Sequence, residues 1–435
     1  MKTLTSISEL SGQGRILIYG SGRRGRLLAG LLDKLRGLAP AAYLDSSRSG
    51  TLDGVPIIPL AEYRPEPGDE VVVASAFWPE IVRALDERGI RDFWVLREAA
   101  SEVLCFVDIT SRCNVKCRFC PYLNNPDRPI GPDWDLDRFR IAHAQFSFAR
   151  GVSFCSAGGE PLLNPHLEDM CLFLKERGQD AEFYTNGLAL GRLIERPGLR
   201  EAVDFVKMSF VSPRAEVQER WMRGTSLAVV EQALTGLARF AKRPALALMA
   251  VLMTENAAHL ADILRFAREV GACEVNCTYM RPGPDPYLRA HSLEYGGKPG
   301  DRALWLAQRD EALALAREAG IRLTFEVKLD HLFAEFEGRP RVLPQGEGGL
   351  TRLCLQPWEF LYVLNNGDVS PCCYGGQNRV GNVFKPRDLV FGGYAHLLLK
   401  DRLSQGRLRG PCRGCESAPM GTVAELRDMV REKFK

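Results

Sequence analysis

Short apolar runs alternate with amphipathic stretches along most of this chain. Over residues 14–98, Arg15–Tyr19, Ala41–Leu44, Val71–Ser75 and Phe93–Leu96 read as four short strands, with a helical pattern over Glu80–Arg88. A linker is expected at about Arg97–Glu102. From about residue 103 to 320 the runs Val103–Asp108, Gly151–Ser156, Ala181–Thr185, Phe205–Phe210, Ala245–Leu252 and Glu274–Tyr279 predict six strands. Helical patterns over Asp135–Ala149, His166–Arg177, Leu227–Ala241 and Ala258–Val270 lie between them, the alternation of parallel βα units. Farther on, Asn365-Asn-Gly367 between Phe360–Leu364 and Val369–Ser370 predicts a β-hairpin.

At roughly 150 residues per domain, 435 residues suggest about three domains, set here at 1–100, 101–322 and 323–435. Hydrophobic residues make up 46% and charged residues 26%, and no apolar run is long enough for a membrane helix. The N-terminus lacks an apolar signal core, so a cytoplasmic location is expected, where 13 cysteines favour ligation or redox chemistry over disulfides. A net charge of +3, with no basic cluster interleaved with aromatics, argues against nucleic acid as a partner.

The densest chemistry is Asp108-Ile-Thr-Ser-Arg-Cys113-Asn-Val-Lys-Cys117-Arg-Phe-Cys120-Pro, which follows the first strand of the long alternating region. Three close thiolates can hold three corners of a four-iron, four-sulfur cluster and leave one iron open. Close cysteines also suit tetrahedral zinc, although this loop has no nearby fourth Cys or His. The spacing, with aromatic Phe119 before the last cysteine, resembles the signature loop of the radical S-adenosylmethionine (SAM) superfamily. The resemblance implies an open, partial (β/α)6 barrel whose free iron chelates SAM, which one electron cleaves to a 5'-deoxyadenosyl radical. It also implies an external electron donor such as flavodoxin or ferredoxin.

The same resemblance assigns roles at strand ends. Gly158-Gly159-Glu160-Pro161 is similar to the family's segment that meets the SAM amino group; an ammonium wants an anionic acceptor, and glycines allow close backbone approach. Thr185-Asn186-Gly187 resembles the family's turn after the third strand. Ser209 occupies the place of a hydroxyl that reaches the SAM ribose or carboxylate, and Arg223 that of an arginine for the carboxylate.

In the first domain, Gly20-Ser-Gly22-Arg-Arg-Gly25 follows a strand and opens a helical pattern, and Asp45 ends the next strand. This resembles a Rossmann-like half-domain, in which backbone amides hold a pyrophosphate and the acidic residue meets a ribose hydroxyl. The other reading is that the glycines only permit tight packing and that the domain is a docking or dimerisation module.

Cys105, Cys155, Cys171, Cys273 and Cys277 stand singly in apolar elements and read as small core hydrophobes. Cys354, Cys372 and Cys412-Arg-Gly-Cys415 are patterned instead. With Gly367 between the first two, the spacing resembles the SPASM and twitch extensions of radical SAM enzymes, which carry auxiliary four-iron, four-sulfur clusters. Only enough cysteines follow for one such cluster, with Cys373 as the substitute ligand and a four-thiol zinc site as the alternative.

The expectation is therefore an α/β enzyme with two clusters that abstracts hydrogen from a small sugar-like or nucleotide-linked substrate, most naturally for oxidation. The alternatives are a peptide- or protein-modifying radical SAM enzyme, a radical SAM epimerase, and a zinc-stabilised nucleotide-binding scaffold.

Overall fold

The computed structural model describes residues 2–4, 7–75, 78–96, 104–120, 122, 130–147, 149–155, 159–338, 349–372, 378–385, 394–408, 410–415 and 418–433. The expected linker at 97–102, Gly158 and Cys373 lie outside these residues.

The N-terminal sheet has seven strands: β1 (Lys2–Thr3), β2 (Ile16–Tyr19), β3 (Ala42–Asp45), β4 (Gly50–Leu52), β5 (Val55–Pro59), β6 (Glu70–Val73) and β7 (Trp94–Val95), in the order β1-β7-β6-β2-β3-β5-β4. All pairs are parallel except β4 with β5. The four predicted strands are β2, β3, β6 and β7. Strand β5 escaped prediction because Pro56 and Pro59 argue against a strand, yet it pairs with both β3 and β4. The chain leaves β2 toward β3 and returns on the other side at β6, so the glycine turn after β2 sits where the strand order reverses.

The barrel comprises β8 (Leu104–Asp108), the short β9 (Lys116–Cys117), β10 (Gly151–Cys155), β11 (Asp180–Thr185), β12 (Phe205–Phe210), the short β13 (Met222–Arg223), β14 (Ala245–Leu252), β15 (Glu274–Tyr279) and β16 (Arg322–Phe325). The six expected strands run in parallel order β8-β10-β11-β12-β14-β15, and β16 extends them. Helices Leu136–His143, Leu167–Lys175, Leu227–Ala238 and Leu260–Glu269 fall in the expected helical stretches. The last buries Leu260, Ile263, Leu264 and Phe266 in the barrel core, at the spacing of one helix face. Such side chains contribute roughly 1.5–3 kcal/mol each when fully buried.

The C-terminal region supplies β17 (Leu350–Arg352), β18 (Phe360–Val363), β19 (Asp368–Ser370), β20 (Gly381–Asn382) and β21 (Met420–Thr422). The predicted hairpin forms between β18 and β19. Its turn places Gly367 at φ 87, where a Cβ would also meet the Phe384 ring at 2.3 Å, so glycine is required. The hairpin does not stand apart from the barrel. β18 pairs in parallel with β8, covering an edge that would otherwise be open, and gives a ten-stranded sheet in the order β16-β15-β14-β12-β11-β10-β8-β18-β19-β20. The Trp134 indole donates to the Asn365 carbonyl at 2.8 Å and fixes the turn against the barrel.

Helix Tyr394–Ser404 bridges the two ends of the chain. Its Leu397 joins the core of the N-terminal sheet, and its buried His396 lies 2.6 Å, ring Nε2 to oxygen, from the Pro357 carbonyl beyond Cys354. Arg431 pairs with the buried Glu9 carboxylate at 2.9 Å.

Candidate active site

A cavity of about 1220 Å³ opens within the barrel. Cys113, Cys117 and Cys120 line it, and so do Cys354, Cys372 and Cys415. Two cysteine sets from distant parts of the sequence thus face one space, brought there by the β8–β18 pairing. Cys412 is not on the wall, but it interacts electrostatically with Cys415.

The first cysteine loop is held from three directions. Glu160 N donates to the Arg112 carbonyl at 2.7 Å, and β9 pairs with β13. Asn186 Nδ2 donates to Asn114 Oδ1 at 2.8 Å and lies 3.8 Å from Cys113 Sγ. Burial raises the Cys113 thiol pKa and pushes Cys117 up to about 12, reinforced by the neighbouring cysteines. Thiols in that condition hold their protons unless a cation takes the protons' place.

Glu160 is the centre of the second motif. Its buried carboxylate accepts from Asn186 N at 2.7 Å and Leu162 N at 3.1 Å. Burial pushes its pKa up to about 7, while these amides and the Thr185 hydroxyl favour the charged form. It therefore ties the Gly159–Pro161 segment to the Thr185–Gly187 turn and still reaches the cavity wall with Gly159, Thr185, Asn186 and Ser209. Pro161 starts a buried one-turn helix behind the wall, with Glu160 as its cap.

Arg223 is not brought into this group. It is exposed, absent from the wall, and its Nε donates to the Lys116 carbonyl at 3.4 Å. The short β9–β13 ribbon turns alternate side chains to opposite faces, and Met222 takes the inward one. Two arginines among the described residues do line the wall: Arg281, held by Glu326 at 2.8 Å, and Arg150, paired with Asp180 at 3.1 Å.

The N-terminal motif lies elsewhere, since no residue of that sheet lines the cavity. Helix Arg23–Arg36 begins at Gly22 without a side-chain cap. A Cβ on Gly25 would stand 1.9 Å from the Gly20 carbonyl oxygen, so packing demands that glycine; nothing lies within 4 Å of a Cβ on Gly22. Asp45 accepts from Ser21 Oγ at 2.6 Å and from the Ser47 and Arg48 amides at 3.3 and 3.2 Å.

Three features had no signal in the sequence. Cys155, read as a core hydrophobe, is on the wall with its Sγ 4.0 Å from Asp108 Oδ1, and Tyr362 donates to the same oxygen at 2.8 Å. The Tyr362 contact exists only because β18 lies beside β8, whereas Cys155 meets Asp108 through the β8–β10 register. Arg281 with Glu326 is the second. The third is Arg352, whose guanidinium donates to the carbonyls of Cys412, Arg413 and Ala418 at 3.1, 2.8 and 3.0 Å and so clamps the Cys412–Cys415 loop.

A parallel barrel with three loop thiols at one cavity defines an α/β protein built for a cluster. Residues 107–267 match the radical SAM superfamily model, so the chain carries a radical SAM domain, followed by a cysteine-bearing C-terminal extension consistent with the SPASM and twitch type. A tungsten-containing aldehyde ferredoxin oxidoreductase cofactor-modifying protein of Pyrococcus furiosus is 27% identical over 173 residues, 38% of this chain and 48% of that one. The match thus spans about half that relative's length. SuiB of Streptococcus suis, bound to precursor peptide SuiA, aligns with a TM-score of 0.49 at 16% identity, covering 72% of this chain and 67% of that one. The anSMEcpe structure with bound AdoMet gives 0.46 at 17% identity, covering 72% and 83%.

The superfamily implies a four-iron, four-sulfur cluster and SAM, and the residues present fit them. Cys113, Cys117 and Cys120 are half-buried thiols on the wall beside the Gly159, Glu160, Asn186 and Ser209 positions. No three His, Cys, Asp or Glu side chains among the described residues are grouped closely enough for one metal ion. A cluster, whose thiolate corners are set apart, does not need them to be. No helix among the described residues is long and apolar enough to cross a membrane.

Proposed function

We propose that the protein is a radical SAM oxidoreductase acting on a small molecule, sugar-like or nucleotide-linked, held in the cavity between Cys113–Cys120 and the Cys354, Cys372, Cys412 and Cys415 set. When bound, the first cluster and SAM supply a 5'-deoxyadenosyl radical for hydrogen abstraction. The observation that carries the reading is that Cys113, Cys117 and Cys120 open on the same cavity as Cys354, Cys372 and Cys415, with Cys412 beside Cys415 off the wall. Cys354, Cys372, Cys412 and Cys415 would be enough to ligate every iron of a second cluster, which would then offer SAM no open position and would supply electron acceptance. Oxidation is then favoured, because a substrate radical must give up an electron to become a carbonyl or form a new bond.

The chain's own residues do the holding. Glu160 and Asn186 fix the first loop, Arg352 fixes the Cys412–Cys415 loop, and the Asp108–Tyr362 pair offers a buried carboxylate and hydroxyl beside the substrate space. The Pyrococcus furiosus relative, described as modifying a cofactor, supports a small-molecule rather than a peptide substrate. The three-domain division and a nucleotide group at the Gly20–Gly25 turn belong to the same proposal.

The test is a Cys412→Ala/Cys415→Ala variant. It should still cleave SAM with a chemical reductant and move deuterium from substrate into 5'-deoxyadenosine, yet yield little oxidised product. A wild-type product isomeric with its substrate would refute the oxidative reading and leave the hydrogen abstraction standing.

A further inference from the structure

The cysteine loop has an outer face with no role in the reaction described above. β9 and β13 form a two-residue antiparallel ribbon in which Cys117 pairs with Met222 and Lys116 pairs with Arg223. Cys117 and Met222 line the cavity, so alternation turns Lys116 and Arg223 outward, and both are exposed. Two cations therefore stand directly opposite each other across the ribbon, an arrangement that costs stability. Arg118 follows with its guanidinium 5.1 Å over the ring of Tyr287, which is 40% exposed.

These three cations differ from their neighbours. Arg112 pairs with Asp133, and Arg220 pairs with Glu255 at 2.7 Å. Among the described residues no carboxylate pairs with Lys116, Arg118 or Arg223. Unpaired positive charge is thus gathered on the face directly behind a cavity-lining thiol.

We infer that this face docks an acidic one-electron carrier protein of the flavodoxin or ferredoxin class. The inference rests on Cys117 being a cluster ligand. A carrier with a carboxylate rim around its redox group would neutralise the opposed Lys116 and Arg223 and gain association rate from the local field. Lys116 and Cys117 are adjacent in the chain, so an electron arriving at the ribbon has one residue of backbone to cross. The cavity stays free for SAM and substrate on the other face. The step is balanced: the carrier is oxidised by one electron, the site behind Cys117 is reduced by one, and no further co-reactant is involved.

The experiment compares the full-length protein with Lys116→Glu/Arg223→Glu and Lys116→Gln/Arg223→Gln variants, using purified flavodoxin with an acidic surface as the probe. Calorimetric binding is measured on metal-free and reconstituted protein, together with the rate of reduction by flavodoxin and SAM cleavage driven by dithionite. The charge reversal should raise the flavodoxin Kd at least about tenfold at low salt, and the wild-type Kd should rise with ionic strength. The glutamine pair should fall between, a basic c-type cytochrome should bind in the reverse order, and dithionite-driven cleavage should be the same in all three proteins. Unchanged flavodoxin binding by the reversed variant would overturn the proposal. So would an equal loss of dithionite-driven cleavage, which would mean that the ribbon supports the SAM site instead. A wild type that holds no iron would refute the cluster reading first, and iron content separates that failure from a loss of charge dependence.

Discussion

Arg352→Met is the substitution whose effect follows most directly from the structure. The side chain makes three hydrogen bonds, at 3.1, 2.8 and 3.0 Å, to the carbonyls of Cys412, Arg413 and Ala418. Methionine keeps the apolar stem and removes all three donors. Hydrogen bonds to a charged group are worth about 1.5–3 kcal/mol each, but water re-solvates part-exposed carbonyls, so about 1 kcal/mol net per bond is the appropriate figure. The sum of about 3 kcal/mol corresponds to roughly a hundredfold in local opening. Hydrogen exchange by mass spectrometry reads this directly, because the Leu353 amide donates to the Pro419 carbonyl at 3.0 Å and β17 pairs with β21 in the same region. Exchange around 350–353 and 410–422 should accelerate by about that factor, with the barrel strands unaffected. Arg352→Lys should recover about one bond's worth, since an ammonium cannot reach three carbonyls in a planar fork. Unchanged exchange in Arg352→Met would show that the loop is held by something other than this clamp.

Further outcomes follow from other sites. Reconstituted wild type should hold about eight irons, and a Cys113→Ala/Cys117→Ala/Cys120→Ala variant about four with no SAM cleavage; equal iron in the two proteins would refute the cluster assignment. Gly22→Val should fold normally, because no atom lies within 4 Å of the added Cβ, whereas Gly25→Ala should melt earlier through its 1.9 Å clash with the Gly20 carbonyl. If the turn holds a nucleotide group, Gly22→Val should also lose substrate turnover while uncoupled SAM cleavage persists. His143, buried against Phe139, Phe146 and Phe173 with its Nε2 2.7 Å from Gln179 Oε1, has its pKa lowered by burial. The unfolded chain then takes the proton first, so this contribution to stability is intact above the ordinary value of about 6.5 and is lost as pH falls through the lower folded value. Denaturant midpoints at pH 7.5 and 5.5 should differ less in His143→Phe than in wild type, and an identical difference would exclude this histidine as a source of acid sensitivity.

What the sequence determined by itself is local. Three thiols spaced by three and two residues, a Gly-Gly-Glu-Pro turn and a Cys-x-x-Cys pair carry their chemistry in consecutive residues, and periods of two and 3.6 reveal strands and helices that bury one face. That was enough for the barrel strands, the hairpin turn at Asn365–Gly367 and the radical SAM family. Partnership between remote segments was not legible, because pattern says that an element is apolar without saying what it lies against.

The pairing of β18 with β8 is the clearest instance. It put Tyr362 on Asp108, beside Cys155, and brought the C-terminal cysteines to the cavity. Arg352 carried no signal in the sequence, because its partners are carbonyls of the remote Cys412–Cys415 loop and of Ala418 just before β21. Arg223 went the other way: its position in sequence suggested a ligand contact, and the register of a two-residue ribbon, in which neighbouring side chains face opposite sides, turned it outward.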